Sequence, residues 1–329
     1  MKVLFISSGT GKQGISPLVK NQGESLKRAG IKIDFYTIKK GGLKGYIQAA
    51  FDLRKKLKQN PYSILHAHYG LSGLTGLLGR RSHPLVISFM GDDLMGSNRA
   101  NGKVKKRSLL FARFNAILSR YLYDYTIVKS AAMAQKVKGK KVDIIPNGVD
   151  LNTFFPMEQK EVRKKLGLEL EKTYILFLSD PARPEKNYPL AQQAMEKIQN
   201  ENIQLVPVYN KNREEVVLWL NAAEVLVLTS YHEGSPNAIK EAMACNCPVV
   251  TTRVGDVEKV TANTEGCYLT SFDTNDFAGK LEQAIRFSKT SGRTNGRKQI
   301  MELGLDAKTT AEKIKAVYRE VLENRKKRR

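Results

Sequence analysis

Two successive α/β domains, each a doubly wound parallel sheet, are what this sequence predicts. Three observations carry the expectation. Short β-branched or aromatic runs recur along all 329 residues with helical stretches between them. The runs are largely apolar rather than alternating, as in strands covered on both faces. The length is about twice the ~150-residue domain prior. Strand–helix alternation of this kind implies parallel sheets, and two such series imply two Rossmann-like domains.

In the first half the strand-like runs are Val3–Ser8, Ile31–Ile38, Ile64–Tyr69, Leu85–Met90, Tyr125–Lys129 and Val142–Ile145. In the second half they are Tyr174–Ser179, Ile203–Tyr209, Val225–Thr229, Pro248–Thr252 and Cys267–Thr270. The turn-forming cluster Pro146-Asn147-Gly148-Val149-Asp150 follows a strand directly and places the divide there. The expected domains are therefore 1–148 and 149–305. A helix and basic tail, 306–329, follow and pack back on the first domain. Helical patterns at Asn275–Arg286 and Ala307–Asn324 close the chain. A doubly wound chain holds its ligand where strand C-termini face a crevice, here expected between the domains.

Composition narrows the class. A hydrophobic content of 41% with 25 Gly and 11 Pro describes a folded chain, which argues against disorder, collagen and coiled coil. No apolar run approaches the ~20 residues that span a bilayer. The apolar start Val3–Ile6 reaches Ser7-Ser8-Gly9 too soon for a signal peptide. Cys245, Cys247 and Cys267 have no paired spacing, so neither a disulfide scaffold nor a zinc finger is expected, and a reducing, cytoplasmic setting fits.

The net charge of +23 is unevenly placed. Residues 1–148 hold 27 Lys and Arg against 7 Asp and Glu, an excess of 20. Residues 149–329 hold 28 against 25, and five of those positives are the tail Arg325-Lys326-Lys327-Arg328-Arg329. Such a field attracts nucleic acid, an anionic membrane or a phosphorylated substrate.

Gly9-Thr10-Gly11-Lys12-Gln13-Gly14 matches G-x-G-x-x-G after the first strand, with Asp34 twenty residues beyond Gly14. Two details argue against a nicotinamide site. The strand continues past Asp34 through Phe35-Tyr36-Thr37-Ile38, and Ser16-Pro17 delays the helix. A glycine loop facing the crevice, open to phosphate or acceptor at Gly14, is the better reading. His66 and His68 alternate onto one face, but no carboxylate or cysteine lies close in sequence to complete a metal site. They are expected at the crevice mouth, and no metal is expected. Nor does the chain contain Asp-x-Asp; Asp92 and Asp93 are adjacent. Cys245-Asn246-Cys247 reads as packing between helix and strand.

The most informative segment is Ser230-Tyr231-His232-Glu233-Gly234-Ser235-Pro236-Asn237-Ala238-Ile239-Lys240-Glu241-Ala242-Met243-Ala244. A strand runs into a loop, and a helix is expected to start at Ser235-Pro236, with Ser as N-cap and Pro at the first helical position. Its N-terminus then offers free amides to phosphate or sugar hydroxyls. Glu241 lies about a turn and a half into the helix, where a carboxylate can accept from the paired hydroxyls of a ribose. Spacing alone leaves a second reading open, with Glu233 capping the helix and Glu241 as solvated charge.

Glu233 and Glu241 form a Glu-x7-Glu pair in an E-G-S-P-N-A-x-x-E-A-M-A string, which resembles the retaining glycosyltransferases of glycosyltransferase family 4. That family has the GT-B fold, two Rossmann-like doubly wound domains facing an interdomain crevice. Ile144-Ile145-Pro146-Asn147-Gly148-Val149-Asp150, with Phe154-Phe155-Pro156 following, is similar to its interdomain segment. Asp180-Pro181-Ala182-Arg183-Pro184-Glu185-Lys186-Asn187 is similar to its Arg/Lys loop, and Pro248–Thr252 with Gly255-Asp256-Val257-Glu258 to the stretch after the Glu pair. The likeness is specific over 142–260 and architectural over most of the first half.

The resemblance implies roles. Glu233 would contact hydroxyls of the transferred sugar and Glu241 the nucleotide ribose. Lys186 with Arg183 would neutralise the donor diphosphate as it leaves, with Asn187 beside them. Gly234, Ser235, Pro236, Asn237 and Ala238 would bind donor sugar and phosphate oxygens. Base-reading residues would lie around Val206-Pro207-Val208. Two positions depart from the pattern. Pro181 stands where the family has the Arg five residues before its Lys, and Met90 stands where many members have a His before Gly-x-Asp. Asp92, Asp93 or His68 would have to supply what that His does.

The expected function is transfer of a hexose-type sugar from a nucleoside diphosphate sugar to a glycan or lipid-linked acceptor, in surface polysaccharide or glycolipid synthesis, without metal or other cofactor. The alternatives are a basic nucleic-acid-binding protein, another GT-B enzyme such as an epimerase, and an NAD-dependent oxidoreductase. No helix-turn-helix, RNP-like or zinc-finger pattern supports nucleic acid as a partner. Apolar residues at 110, 114, 117, 118 and 121 recur at helical spacing among Arg99, Lys103, Lys105, Lys106, Arg107, Arg113 and Arg120. That stripe is expected to pack on the domain core. The surrounding charge is expected to hold the enzyme on the inner, anionic face of a membrane, where each nearby Lys or Arg contributes ~1 kcal/mol.

Overall fold

The computed structural model describes residues 1–9, 14–97, 103–137 and 141–327. All eleven expected strands form, with ends within two residues of the sequence reading. The chain divides into two compact units between Gly148 and Val149. The first unit also takes the chain from Ala307 onward, and the second is chiefly Val149–Asp306.

In the first unit, β1 (Lys2–Ser8), β2 (Lys32–Ile38), β3 (Ile64–His68), β4 (Leu85–Ser88), β5 (Tyr125–Val128) and β6 (Val142–Ile144) form one sheet. Its order is β2-β1-β3-β4-β5-β6 and every pairing is parallel. Helices Gly42–Gln59 and Lys106–Tyr121 pack on one face, around Leu53, Leu65, Ile87 and Leu118. The other face receives the helices Pro17–Arg28 and Ala307–Lys326. The last helix docks through Ile314, Val317, Tyr318 and Val321, a spacing that puts four apolar side chains on one stripe.

In the second unit, β7 (Thr173–Phe177), β8 (Ile203–Pro207), β9 (Val225–Leu228), β10 (Val249–Thr252) and β11 (Cys267–Thr270) form a parallel sheet of order β11-β10-β9-β7-β8. Both sheets are doubly wound, with the strand order reversing between the first and third strand of each series. Helices Tyr188–Ile198 and Thr274–Thr290 cover one face, around Phe177 and Phe277. Helices Arg213–Ala222 and Asn237–Ala244 cover the other. Cys245 and Cys247 are free, buried thiols in that core, and burial pushes Cys245 up to about 12, so they pack rather than react.

One sequence expectation is overturned. Of the stripe on Lys106–Tyr121 only Leu118 packs on the core: Leu110 is 64% exposed, Ile117 58% and Tyr121 68%, with Phe114 also exposed. The buried face is Ala112, Asn115, Leu118 and Ser119. At Asn115 that face is set by close approach. A Cβ on Gly70 would lie 2.3 Å from the Asn115 side chain, whose Nδ2 donates to the Asp93 carbonyl at 2.9 Å. A bulky apolar side chain at 115 would not fit there.

Candidate active site

The second sheet reverses between β7 and β9, and the loops after these two strands carry Lys186 and Glu233. After β7 the chain turns through a short 3-10 helix, Pro184–Lys186, and Asn187 follows in the left-handed conformation at φ 50°. Thr229 Oγ1, at the end of β9, donates to the Lys186 carbonyl at 2.7 Å and ties the two loops together. Tyr231 N donates to the Glu185 carbonyl at 3.0 Å, a second tie. So held, Lys186 Nζ meets Glu233 Oε1 at 2.5 Å, and Ser230 Oγ donates to the same oxygen at 2.9 Å. The two side chains are 18% and 17% exposed, half-withdrawn from water yet reachable. Glu233 therefore pairs with a lysine and does not cap the helix.

Arg183 is placed differently. Its Nε donates to Glu185 Oε1 at 2.8 Å and its side chain is 54% exposed, so its charge is partly answered within its own loop.

The helix after Glu233 begins at Asn237, with Pro236 as N-cap and no side chain capping it. The expectation of a Ser235 cap is corrected: its hydroxyl is engaged elsewhere, accepting from Lys240 Nζ at 3.0 Å. Lys240 is the residue sequence reasoning missed. It is 1% exposed, and burial pulls its ammonium down to about 8 against the opposing carboxylates of Asp256 and Glu241. Asp256 also bonds Ser235, so a buried cation, a hydroxyl and a carboxylate lock Gly234–Pro236 to the loop after β10. A lysine inside an amphipathic helix pattern carried the only sequence signal. Gly255 completes the lock at φ +59, where a Cβ would come within 2.7 Å of the Gly234 carbonyl oxygen and 2.9 Å of that of Glu233. Gly234, Ser235 and Pro236 are buried, while Asn237 and Ala238 stay half-exposed at the helix end.

Glu241 follows one turn later and is half-buried. Burial raises its carboxyl, opposed by the charges of Arg213 and Lys240. Val206 and Pro207 end the edge strand β8, and Val208 is buried behind them.

In the first unit the sheet reverses between β1 and β3. The loop after β1 includes residues 10–13, outside the described residues; Gly14 is exposed at φ 69°. Asp34 lies toward the start of β2, paired with Leu4, while Gly9 follows the end of β1. Its carboxylate bonds Lys2 Nζ at 2.9 Å and Tyr62 Oη at 2.8 Å, so it is the wrong end of the sheet for a ribose beside that loop.

The two histidines are not at an open mouth. Their rings stack at 4.3 Å, with His66 fully buried and His68 2% exposed. Tyr318 Oη and Ser88 Oγ occupy both ring nitrogens of His66 at 2.6 and 2.8 Å, and Gln22 Oε1 meets His68 Nε2 at 2.7 Å. Burial lowers both, His68 to about 3, so they are neutral packing groups, with both ring nitrogens of His66 and Nε2 of His68 hydrogen-bonded. Asp93 is equally inward. Its carboxylate accepts from the amides of Gly70, Met90 and Gly91, and burial pushes it up to about 6. It shapes the loop after β4, leaving Asp92 as the exposed carboxylate of the pair.

Two family models match the chain. Residues 21–153 match Glycosyltransferase Family 4, and residues 181–286 match Glycosyl transferases group 1. Among curated relatives, a D-inositol 3-phosphate glycosyltransferase of Pseudarthrobacter chlorophenolicus is 25% identical over 67% of this chain and 61% of its own length. The putative teichuronic acid biosynthesis glycosyltransferase TuaC of Bacillus subtilis is 25% identical over 71% of this chain and 66% of its own. The alignment thus spans about three fifths to two thirds of these relatives. Among solved structures, sucrose-phosphate synthase from Thermosynechococcus elongatus has a TM-score of 0.77 at 19% identity, covering 98% of this chain and 99% of that one. HepE from Anabaena, solved with UDP and glucose, has a TM-score of 0.75 at 16% identity over 96% and 99%. Those two share the fold, and the family models match sequence on both sides of Gly148. The chain belongs to glycosyltransferase family 4, the glycosyl transferases group 1, with two Rossmann-like units of the GT-B type.

Proposed function

We propose that this chain is a retaining transferase that moves a hexose-type sugar from a nucleoside diphosphate donor to a hydroxyl of a glycan or lipid-linked acceptor. The observation that carries the reading is the Lys186–Glu233 pair at 2.5 Å, held on the two loops at the strand reversal beside an uncapped helix end. A departing diphosphate accumulates negative charge, and a fixed cation with oriented amides stabilises it as it forms. Lys186 exchanges Glu233 for that diphosphate when donor binds. Glu233 then turns to the hydroxyls of the sugar. Asn237 and Ala238 offer amides to donor oxygens, and Glu241 accepts from the ribose hydroxyls. Lys186 and these amides carry the leaving-group charge without a metal, in keeping with a sequence that has no Asp-x-Asp. HepE, solved with UDP and glucose, supports a nucleotide-sugar donor.

The basic first unit receives the acceptor, and the enzyme works as a peripheral protein on the anionic inner face of a membrane, in surface polysaccharide or glycolipid synthesis. Leu110, Phe114, Ile117 and Tyr121 stand exposed along a helix that also carries Lys106, Arg107, Arg113 and Arg120. Fully burying one such apolar side chain contributes ~1.5–3 kcal/mol, which water withholds and a leaflet supplies. Among the described residues no helix is long and apolar enough to cross a membrane.

Thermal shift against a panel of nucleoside diphosphates, with duplex oligonucleotides alongside, tests the donor reading. One nucleoside diphosphate should raise the melting temperature by mass action and the oligonucleotide should not. A shift with oligonucleotide alone would replace the enzyme by a nucleic-acid binder. The anomeric configuration of the product, followed by NMR, decides retention.

A further inference from the structure

The first unit holds a cavity of about 770 Å³ at the edge of the sheet where β4, β5 and β6 begin, opposite the strand ends that carry Gly9, His68 and Asp93. Five cations line it, Arg80, Arg81, Arg120, Lys141 and Arg325, against one carboxylate, Asp124. Arg80 takes that carboxylate at 2.9 Å. Lys141 pairs at 3.2 Å with Glu320, on the last helix. Arg81, Arg120 and Arg325 take no carboxylate among the described residues, though Arg120 also lies over the ring of Tyr121 at 5.4 Å. Three guanidinium groups therefore line one concavity with no described carboxylate answering their charge.

Such a concavity suits a phosphate, because planar guanidinium forks bind its oxygens in pairs and several can share one anion. Its rim shows which phosphate. Tyr121 and Leu122 line the cavity and are 68% and 46% exposed. They continue the apolar stripe of Leu110, Phe114 and Ile117 on the helix that ends there. A free anion has no use for that rim. A lipid does, since its acyl chains lie beside the stripe when its headgroup enters the cavity.

We propose that this cavity binds the phosphodiester headgroup of an anionic lipid and fixes how the first unit sits on the leaflet. The inference rests on the membrane reading above and adds a discrete site to it. Its position at the strand starts leaves the strand ends free for the acceptor.

The test is co-sedimentation of the full chain with vesicles of phosphatidylglycerol and phosphatidylcholine mixed about 3:7, compared with phosphatidylcholine alone. Wild type is compared with Arg81→Ser/Arg120→Ser and with Lys20→Ser/Lys32→Ser. The second pair removes the same charge from exposed positions on the first unit, away from the cavity. The cavity variant should lose about 10- to 30-fold in affinity for anionic vesicles, and at least five times more than the charge-matched variant. Millimolar glycerol phosphate should weaken vesicle binding of wild type and leave the cavity variant unchanged. Equal losses in the two variants would overturn the discrete site and leave a diffuse electrostatic attachment. Failure of wild type to bind anionic vesicles would overturn the membrane reading with it. Glycerol phosphate binding without vesicle binding would make the cavity a site for a soluble phosphate, contrary to the proposal.

Discussion

Gly255→Ala separates backbone strain from the positioning of Glu233. Gly255 sits at φ +59, where any L-residue loses ~1–2 kcal/mol. Its added Cβ would also stand 2.7 Å from the Gly234 carbonyl oxygen and 2.9 Å from that of Glu233. Ordinary contact needs more than 3.4 Å, so the Glu233 loop must retreat by roughly half an ångström or more. Overpacking of that kind costs about 1–3 kcal/mol, and a displacement approaching 1 Å at a reacting group costs about 10²-fold in rate. Gly167→Ala is the control. It has the same left-handed backbone, φ +68, with nothing within 4 Å of the new Cβ. Both variants should melt lower by the strain alone, at ~2–4 °C per kcal/mol for a domain of this size. Gly255→Ala should fall further and lose turnover, measured as nucleoside diphosphate release with excess donor and acceptor. Gly167→Ala should keep wild-type turnover. Equal melting temperatures and equal turnover in the two variants would refute the claim that backbone contact from the β10 loop sets the place of Glu233.

Lys186→Ala and Glu233→Ala should each cut turnover by at least ~10²-fold with the fold intact, the loss expected when one transition-state contact disappears. Near-normal rates in circular-dichroism-verified protein would remove the assignment. Glu241→Ala should act through donor affinity, raising the donor KM more than it lowers kcat; the reverse split would place Glu241 in the chemistry. The neutral histidine pair makes stability fall in acid. An unfolded His takes up a proton near pH 6.5, whereas folded His68 does so only near about 3, so the unfolded state binds more protons throughout that window. Buried Asp93, raised to about 6, works the other way over part of that window, so the histidine term is read as a difference: as pH falls from 6.5 toward 4, the urea midpoint of wild type should drop relative to that of His68→Gln. Parallel profiles in wild type and His68→Gln would show that this ring is solvated.

The inner strands β3, β4, β5, β7, β9 and β10 were legible because they are buried along their whole length, which writes an apolar run into the sequence that needs no partner to be read. The helix that carries Glu241 was legible in outline because Asn237–Ala244 is short and bounded by Pro236, a strong local signal. Its start was misplaced because the fate of Ser235 is decided by Lys240, whose amine reaches back inside the fold where helix periodicity alone reads a charge as solvated. The same limit governs Asp93 and His68. A carboxylate on a glycine turn and a histidine at a strand end read as site residues, and only three-dimensional burial shows one bonding loop amides and the other stacked in the core. Helix Lys106–Tyr121 shows the limit most clearly. Periodicity reports that an apolar stripe exists but not which way it faces. Here Gly70, a residue distant in sequence, helps choose the inward face, because its missing side chain lets the backbone lie against Asn115, and Leu118 is the one stripe residue that turns in beside it. Leu110, Phe114, Ile117 and Tyr121 instead face outward on a helix that also carries Lys106, Arg107, Arg113 and Arg120. Part of the charge excess and the exposed stripe thus share one helix, and a surface both cationic and apolar suits the proposed anionic leaflet better than a nucleic acid, which offers phosphate but no hydrocarbon.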